Sequence, residues 1–304
     1  ETAVKESTWA TTKRMFRLHI LPVFGEYRIA QITIKDCQKA INQWFNEGLA
    51  KYHTLMNYVA KVLDYAINID LISENPAKRV IVPVNKNDRS RKNLENYFDK
   101  PELQHFFECL NDDDNTPQAS VFFRLAAFSG MRKSEMLCLE WSDIDFVHHT
   151  ISVNKTQSRG DMARLLVQTP KTARSNRTVF IDPKTVQILQ RWQLEQKKYL
   201  IRFGFNINHS NNYVFANENN EMFQPSKPRK WLEHTLTKYD LKHVTVHAFR
   251  HTYATLAFEA GASVKSVQDQ LGHSSYRTTL DIYTAVTAKQ KNEATQKLAS
   301  YLNF

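Results

Sequence analysis

Five short segments of the chain carry arginine, lysine, histidine and tyrosine side chains whose types and order suit chemistry at a phosphate. They are Ser129-Gly130-Met131-Arg132-Lys133-Ser134-Glu135, Pro170-Lys171-Thr172, His247-Ala248-Phe249-Arg250-His251, Leu271-Gly272-His273-Ser274 and Asp281-Ile282-Tyr283-Thr284. Arg132 and Arg250 can neutralise a pentacoordinate phosphate, because a guanidinium keeps its charge and offers a planar fork of donors. His247, His273 and Lys171 can move protons or donate hydrogen bonds, and Tyr283 can attack. A free phenol has a pKa of about 10, so at neutral pH the nucleophile needs a base beside it.

Taken singly, each segment has an ordinary structural reading. An arginine after a helix-ending glycine is usually structural, and Glu135 alone suits the start of a helix, although it can also hold Arg132. His247 and Arg250 are three apart, roughly 60° around a helix axis, and share a face at a helix start, where an anion is favoured. Phe249, Tyr253, Leu256, Ala257 and Ala260 make the apolar stripe of that helix. His247 and His251 also have the spacing of a zinc-binding helix. That motif needs a glutamate after the first histidine to activate water, and Ala248 stands there, so zinc hydrolysis is disfavoured. His273 falls at a turn between two helices, and a helix from about Ser275 returns Tyr283 toward the same pocket. Tyr253 is on the apolar stripe, Tyr276 is too near His273, and Tyr301 is in the tail. Lys171 sits on a polar hairpin turn, with Lys155, Arg174 and Arg177 as alternatives in phosphate-contact or solvent roles. The ordered set carries the argument, and no single member does.

The elements that must position these groups read as mainly α. Residues 1–82 form a helical bundle, with a capping box at Thr33-Ile34-Lys35-Asp36 starting a helix that runs to about Asn46. Leu55, Val59, Val62, Ala66 and Ile69 form one stripe of the next helix, which Asn75-Pro76 stops. Residues 83–93 are polar, basic and aperiodic, the composition of a linker. A second domain, 94–304, opens at Asp99-Lys100-Pro101-Glu102 with an Asp cap and Pro in the first turn. Helices are expected at about 117–129, from Ser134, and at 183–203, 226–239, 246–260, 263–271 and 275–285. A tail helix is expected from about 288. Residues 150–156, 164–169 and 177–181 turn β-branched, and a small three-stranded antiparallel sheet is expected there, with Arg159-Gly160-Asp161 as a turn.

At 304 residues, 42% hydrophobic and 24% charged, the chain can build two cores. It has no apolar run long enough to span a bilayer, so a soluble protein with no membrane partner is expected. Three dispersed cysteines, Cys37, Cys109 and Cys138, have no metal-ligand spacing and read as reduced core residues of an intracellular protein. The start Glu1-Thr2-Ala3-Val4-Lys5 has neither an initiator Met nor a signal-peptide pattern, which leaves room for a module upstream. A net charge of +10 points to a polyanion. Residues 1–93 hold 15 Lys and Arg against 9 Asp and Glu, more than half of that excess, as a DNA-gripping module would. Within it Thr54, Tyr58 and Lys61, off the apolar stripe, are candidates to enter a groove, while Arg174 and Arg177 are candidate contacts in the second domain.

These motifs resemble those of the tyrosine recombinases of the phage-integrase type, over both domains. The Arg, Lys, His-x-x-Arg, His and Tyr of that family fall on Arg132, Lys171, His247 with Arg250, His273 and Tyr283, and its supporting acid falls on Glu135. The resemblance implies that Tyr283 attacks the scissile phosphate to give a 3′-phosphotyrosyl enzyme and a free 5′-hydroxyl, with neither metal nor ATP and no cofactor. It assigns proton removal to His247, protonation of the leaving oxygen to Lys171, clamping of the non-bridging oxygens to Arg132 and Arg250, and a further hydrogen bond to His273. It further implies double-stranded DNA attachment sites as partners, a homo-tetramer on two duplexes, and accessory DNA-bending or directionality proteins, in a bacterial cytoplasm. Docking of the tail stripe, Ala294, Leu298, Tyr301 and Leu302, on a neighbouring protomer is expected, with packing back on its own domain as the alternative. The rival reading with the same chemistry is a type IB topoisomerase-like enzyme that relaxes supercoils without pairing sites.

Overall fold

The computed structural model describes residues 4–84, 96–112, 117–169, 176–205, 212–273 and 275–287. The chain divides into two compact units: Glu1–Leu94 with Arg159–Arg164, and Glu95–Ser158 with Leu165–Phe304.

The first unit is helical. α1 (Glu6–Met15) runs through a π-helical turn into α2 (Leu21–Phe24), and α3 (Ile34–Asn46) and α4 (Tyr52–Asn68) follow. The capping box forms as its sequence predicts: the Asp36 N–H donates to Thr33 Oγ1 at 3.3 Å and the Thr33 N–H to Asp36 Oδ2 at 3.0 Å. Cys37, Ala40, Ile41 and Trp44 of α3 pack on Leu55, Met56, Val59, Leu63 and Ala66 of α4.

Two details of α4 differ from the expected ones. Its buried stripe takes Leu63 in place of Val62, which is exposed, as is Ile69. A helix with apolar residues at both 62 and 63 can turn either inward, and the bulkier leucine goes to the core. α4 also ends at Asn68, followed by Asp70 in the left-handed region (φ 58°), and so stops before Asn75-Pro76. Asn75 instead caps a 3₁₀ turn (Pro76–Arg79), accepting from the Ala77 N–H at 3.0 Å, while its amide donates to the Ala60 carbonyl and to Asp64, both at 2.8 Å.

In the second unit, α5 (Lys100–Asp112), α6 (Pro117–Ser129), α8 (Pro183–Arg202), α9 (Lys227–Lys238) and α10 (Ala248–Glu259) surround an aromatic core. Phe98, Phe106, Phe123 and Phe249 pack together in it, mostly edge-on, with ring centroids 4.9–5.7 Å apart. α5 starts at a second reciprocal cap, the Glu102 N–H to Asp99 Oδ1 at 2.9 Å and the Asp99 N–H to Glu102 Oε2 at 2.8 Å. α7 (Lys133–Met136) is a single turn, and α11 (Val264–Leu271) precedes a helix over 276–287, here α12. Cys37, Cys109 and Cys138 are all buried thiols.

The sheet is three-stranded and antiparallel, but with different strands from those expected. β1 (Ile144–Asp145), β2 (Thr150–Val153) and β5 (Arg177–Phe180) compose it in the order β1-β2-β5. The stretch 150–156 breaks at Asn154-Lys155. Beyond the break, β3 (Thr156–Arg159) pairs with β4 (Leu165–Gln168) in a separate two-stranded hairpin. At the break the Lys155 ammonium is turned into ion pairs with Glu140 and Asp143, each at 2.8 Å. The expected tail helix, with Ala294, Leu298, Tyr301 and Leu302, lies outside the described residues, and so does most of the 83–93 linker.

Candidate active site

α6 ends at Gly130, whose φ of +66° suits glycine. A Cβ there would fall 2.5 Å from Leu271 Cδ2 and 2.8 Å from Tyr253 Cδ1, so a larger residue would have to displace both side chains. This tight crossing brings the end of α6 against the end of α11 and sets Arg132 at the start of α7. The Arg132 backbone N–H donates to Glu135 Oε2 at 2.9 Å, its Nη1 to Glu135 Oε1 at 2.8 Å and its Nη2 to the Gly272 carbonyl at 3.3 Å.

Glu135, only 4% exposed, is also gripped by Arg177, 6% exposed, through Nη2 to Oε2 at 2.8 Å and Nη1 to Oε1 at 3.1 Å. Arg177 Nε donates to the Gln270 carbonyl at 2.8 Å. An Arg177 free to meet DNA is therefore corrected: its guanidinium faces inward at the foot of β5. Arg250, 4% exposed, donates Nη1 to the Gly130 carbonyl and Nη2 to the Leu271 carbonyl, both at 2.7 Å. It does not lie off a one-sided apolar stripe, because α10 is buried on several faces, with Ala248, Thr252, Ala254 and Phe258 inward as well and Ala260 exposed.

The electrostatics of this cluster fix the protonation of its neighbours. Burial acts to raise the Glu135 pKa, but hydrogen bonds and charge from Arg177, with the charge of Arg132, outweigh it and hold the carboxyl below its usual range. Burial lowers Arg250, and the charges of Arg132 and Arg177 add to this, bringing it to about 9, still a cation at neutral pH. His247 is pushed down by burial, then by His251, Arg250 and Arg132. His273 is pushed down to about 4 by burial, then by Arg250, Arg132, His251 and Arg177. These imidazoles are therefore neutral at pH 7 and can accept a proton, or donate through the one N–H they keep.

His273 sits at the turn foreseen for it. Gly272 closes α11 in the left-handed conformation (φ 66°), and His273 Nδ1 shares a hydrogen bond of 2.9 Å with the Thr279 hydroxyl on α12. His247 lies at the N-terminal end of α10 with its ring edge-on to His251, centroids 5.4 Å apart. The structure thus gathers Arg132, Glu135, Arg250, His247 and His273, and adds His251 and Arg177. Tyr283 stands on α12, 37% exposed, its ring edge-on to Phe258 at 5.3 Å. Among the described residues its hydroxyl makes no hydrogen bond to the arginine cluster. Lys171 and Arg174 lie outside the described residues.

On α4, Thr54 is half-buried and Lys61 exposed. The Tyr58 hydroxyl shares a 3.0 Å hydrogen bond with Thr12, and its ring meets Phe16 edge-on, so part of this side chain serves the bundle. Among the described residues there is no group of three or more His, Cys, Asp or Glu side chains that could hold a metal ion, and no helix long and apolar enough to cross a membrane.

The role of Arg177 was not legible in its own segment, a basic turn beside other basic residues. Its partner, Glu135, is remote in sequence, and only the buried carboxylate with two oxygens to satisfy would have pointed to a second guanidinium.

Residues 96–290 match the family model described as the phage integrase family, and residues 1–45 match the phage integrase N-terminal SAM-like domain. The ICEBs1 integrase of Bacillus subtilis strain 168 is 26% identical over 300 residues, covering 98% of this chain and 79% of its own length. A tyrosine recombinase XerC-like protein of Caldanaerobacter subterraneus subsp. tengcongensis is 28% identical over 285 residues, covering 89% of this chain and 72% of its own. The fold is similar to that of the Tn1549 transposon integrase in complex with transposon right end DNA, with a TM-score of 0.76 at 21% identity over 98% of this chain and 95% of that one.

Proposed function

The chain belongs to the phage integrase family, and from that premise we propose how its own residues carry out site-specific DNA recombination. The observation that carries the reading is the cluster in which Arg132 and Arg250 share one small volume with neutral His247 and His273, beside a helix bearing an exposed tyrosine.

Tyr283 Oη attacks the scissile phosphorus, the bond from phosphorus to the 5′ oxygen breaks, and a 3′-phosphotyrosyl ester forms. His247, unprotonated in this cationic surrounding, receives the phenolic proton. Lys171 supplies a proton to the departing 5′ oxygen. A guanidinium has five N–H groups, so Arg250 has donors left for the non-bridging oxygens after giving two to carbonyls, as does Arg132. His273, held by Thr279, offers its other ring nitrogen to the same phosphate. Attack of a second strand's 5′-hydroxyl on the ester reverses these transfers and rejoins DNA without ATP.

The substrate is double-stranded DNA at the ends of a mobile element, integrated or excised by four protomers on two duplexes, with accessory proteins acting on the assembly. Thr54, Tyr58 and Lys61 form a contact face, with Arg174 added from the second unit. Relatives named as integrases and recombinases favour strand exchange between paired sites over topoisomerase-like relaxation.

The decisive experiment is Tyr283→Phe on a duplex nicked beside the cleavage point. Covalent protein–DNA should vanish, a loss of more than about 10³-fold, while DNA binding persists. Ester formation by the phenylalanine variant would overturn the assignment.

A further inference from the structure

Three consecutive carbonyls close α11, and each accepts from an arginine on a different element. Gln270 receives Arg177 Nε at 2.8 Å, Leu271 receives Arg250 Nη2 at 2.7 Å and Gly272 receives Arg132 Nη2 at 3.3 Å. The last carbonyls of a helix have no partners within it and carry the negative end of its dipole, so cations are favoured there. From this point the chain sets out to His273 and then to the helix of Tyr283. Whatever fixes the end of α11 therefore fixes the origin of both groups.

Two of the three arginines belong to the proposed reacting set. Arg177 does not: all three of its guanidinium nitrogens are committed to the Glu135 carboxylate and the Gln270 carbonyl. It spans both oxygens of Glu135, the carboxylate that also holds Arg132, and reaches the α11 end with its remaining nitrogen. The Gln270 side chain completes the stitch, donating to the Phe180 carbonyl at 2.8 Å and accepting from the Phe180 N–H at 3.1 Å.

The geometry points to Arg177 as a positioning residue for the strand-transfer reaction: it locks Glu135, and through it Arg132, in register with the end of α11. The inference rests on the active-site reading above. Simple neutralisation of a buried carboxylate would need only a positive charge. Reaching two carboxylate oxygens and a carbonyl at once needs the guanidinium fork, which a lysine lacks.

The test uses the full chain and a nicked duplex spanning the joined ends of the element that encodes it. Tyr283→Phe, Arg177→Lys, Arg177→Met and Arg177→Met with Glu135→Gln are compared by melting temperature, DNA affinity and rate of covalent trapping at saturating DNA. Arg177→Lys should melt between the parent and Arg177→Met and bind DNA within about threefold of the parent, yet trap about 100-fold more slowly, the scale of a misplacement of about 1 Å. Arg177→Met should melt lower, and adding Glu135→Gln should restore the melting temperature but not the rate. Trapping within about threefold of the parent by Arg177→Lys or by the double variant overturns the proposal. If Tyr283→Phe forms the ester, the active-site reading itself fails. If Tyr283→Phe forms none while Arg177→Lys traps normally, only the positioning role fails.

Discussion

Cations in the two units do different work, although both are arginines and lysines of a basic chain. In the first unit they lie on the surface: Lys61 is exposed with its ammonium 5.5 Å from the Tyr58 ring, and Lys78 and Arg79 make exposed pairs with Asp64 and Glu74. In the second, Arg177 and Arg250 are buried and committed to a carboxylate and to carbonyls at 2.7–3.1 Å. An exposed pair contributes little to stability and follows the ionic strength. A buried guanidinium cannot be removed without leaving polar groups unpaired. Charge alone therefore says where a polyanion is attracted, and burial with committed donors says where a guanidinium is held in place.

Arg250→Met should break this contrast most severely. It strips the Gly130 and Leu271 carbonyls of their donors, and a loss of about 3 kcal/mol in urea unfolding is expected together with abolished covalent trapping. A variant as stable as the parent would mean that the repulsion among the three arginines, relieved by the change, matches the lost hydrogen bonds.

Acidification should separate the units next. His247, His251 and His273 all have folded pKa values below the ordinary 6.5, so as pH falls the unfolded chain takes up protons first. Their contribution is fully present above about pH 6.5 and is lost on the way down to about 4, where His273 titrates in the folded protein. Melting temperatures at stepped pH should fall across that window, and His273→Gln should flatten the slope. An unchanged slope would remove His273 from the cluster's electrostatics.

Lys61→Ala should give the smallest effect. Thermal melting should not move, while DNA affinity should weaken across sequences and the slope of log affinity against log salt should drop by about one. A normal salt slope would take this residue off the contact face.

Much of the fold was legible because its signals are local. Thr33 with Asp36, Asp99 with Glu102 and Gly130 after an apolar run each act within a turn of helix, and the structure places a cap or a stop at each. Strand partnership was not legible, since β2 leaves its own continuation to pair with β1 and β5, a choice made by contacts remote in sequence. The register of α4 failed for a similar reason: Val62 and Leu63 offer equal hydrophobic stripes, and only packing against α3 decides between them. In the site, residue types and order named the reacting candidates, whereas the work of Arg177 depends on a carboxylate brought to it by folding. Lys171 and Arg174 fall outside the described residues.

The anchoring of Arg132 and Arg250 at the end of α11 also bears on the proposed engagement of DNA. Long, flexible side chains normally lose rotamer freedom when they close on a phosphate, and that entropy subtracts from affinity. Here the ordering is completed when the chain folds, with the guanidinium groups already oriented by neighbouring carbonyls. In the proposed reaction a phosphate would meet donors that need not reorganise, leaving the free energy of contact available to the reaction barrier.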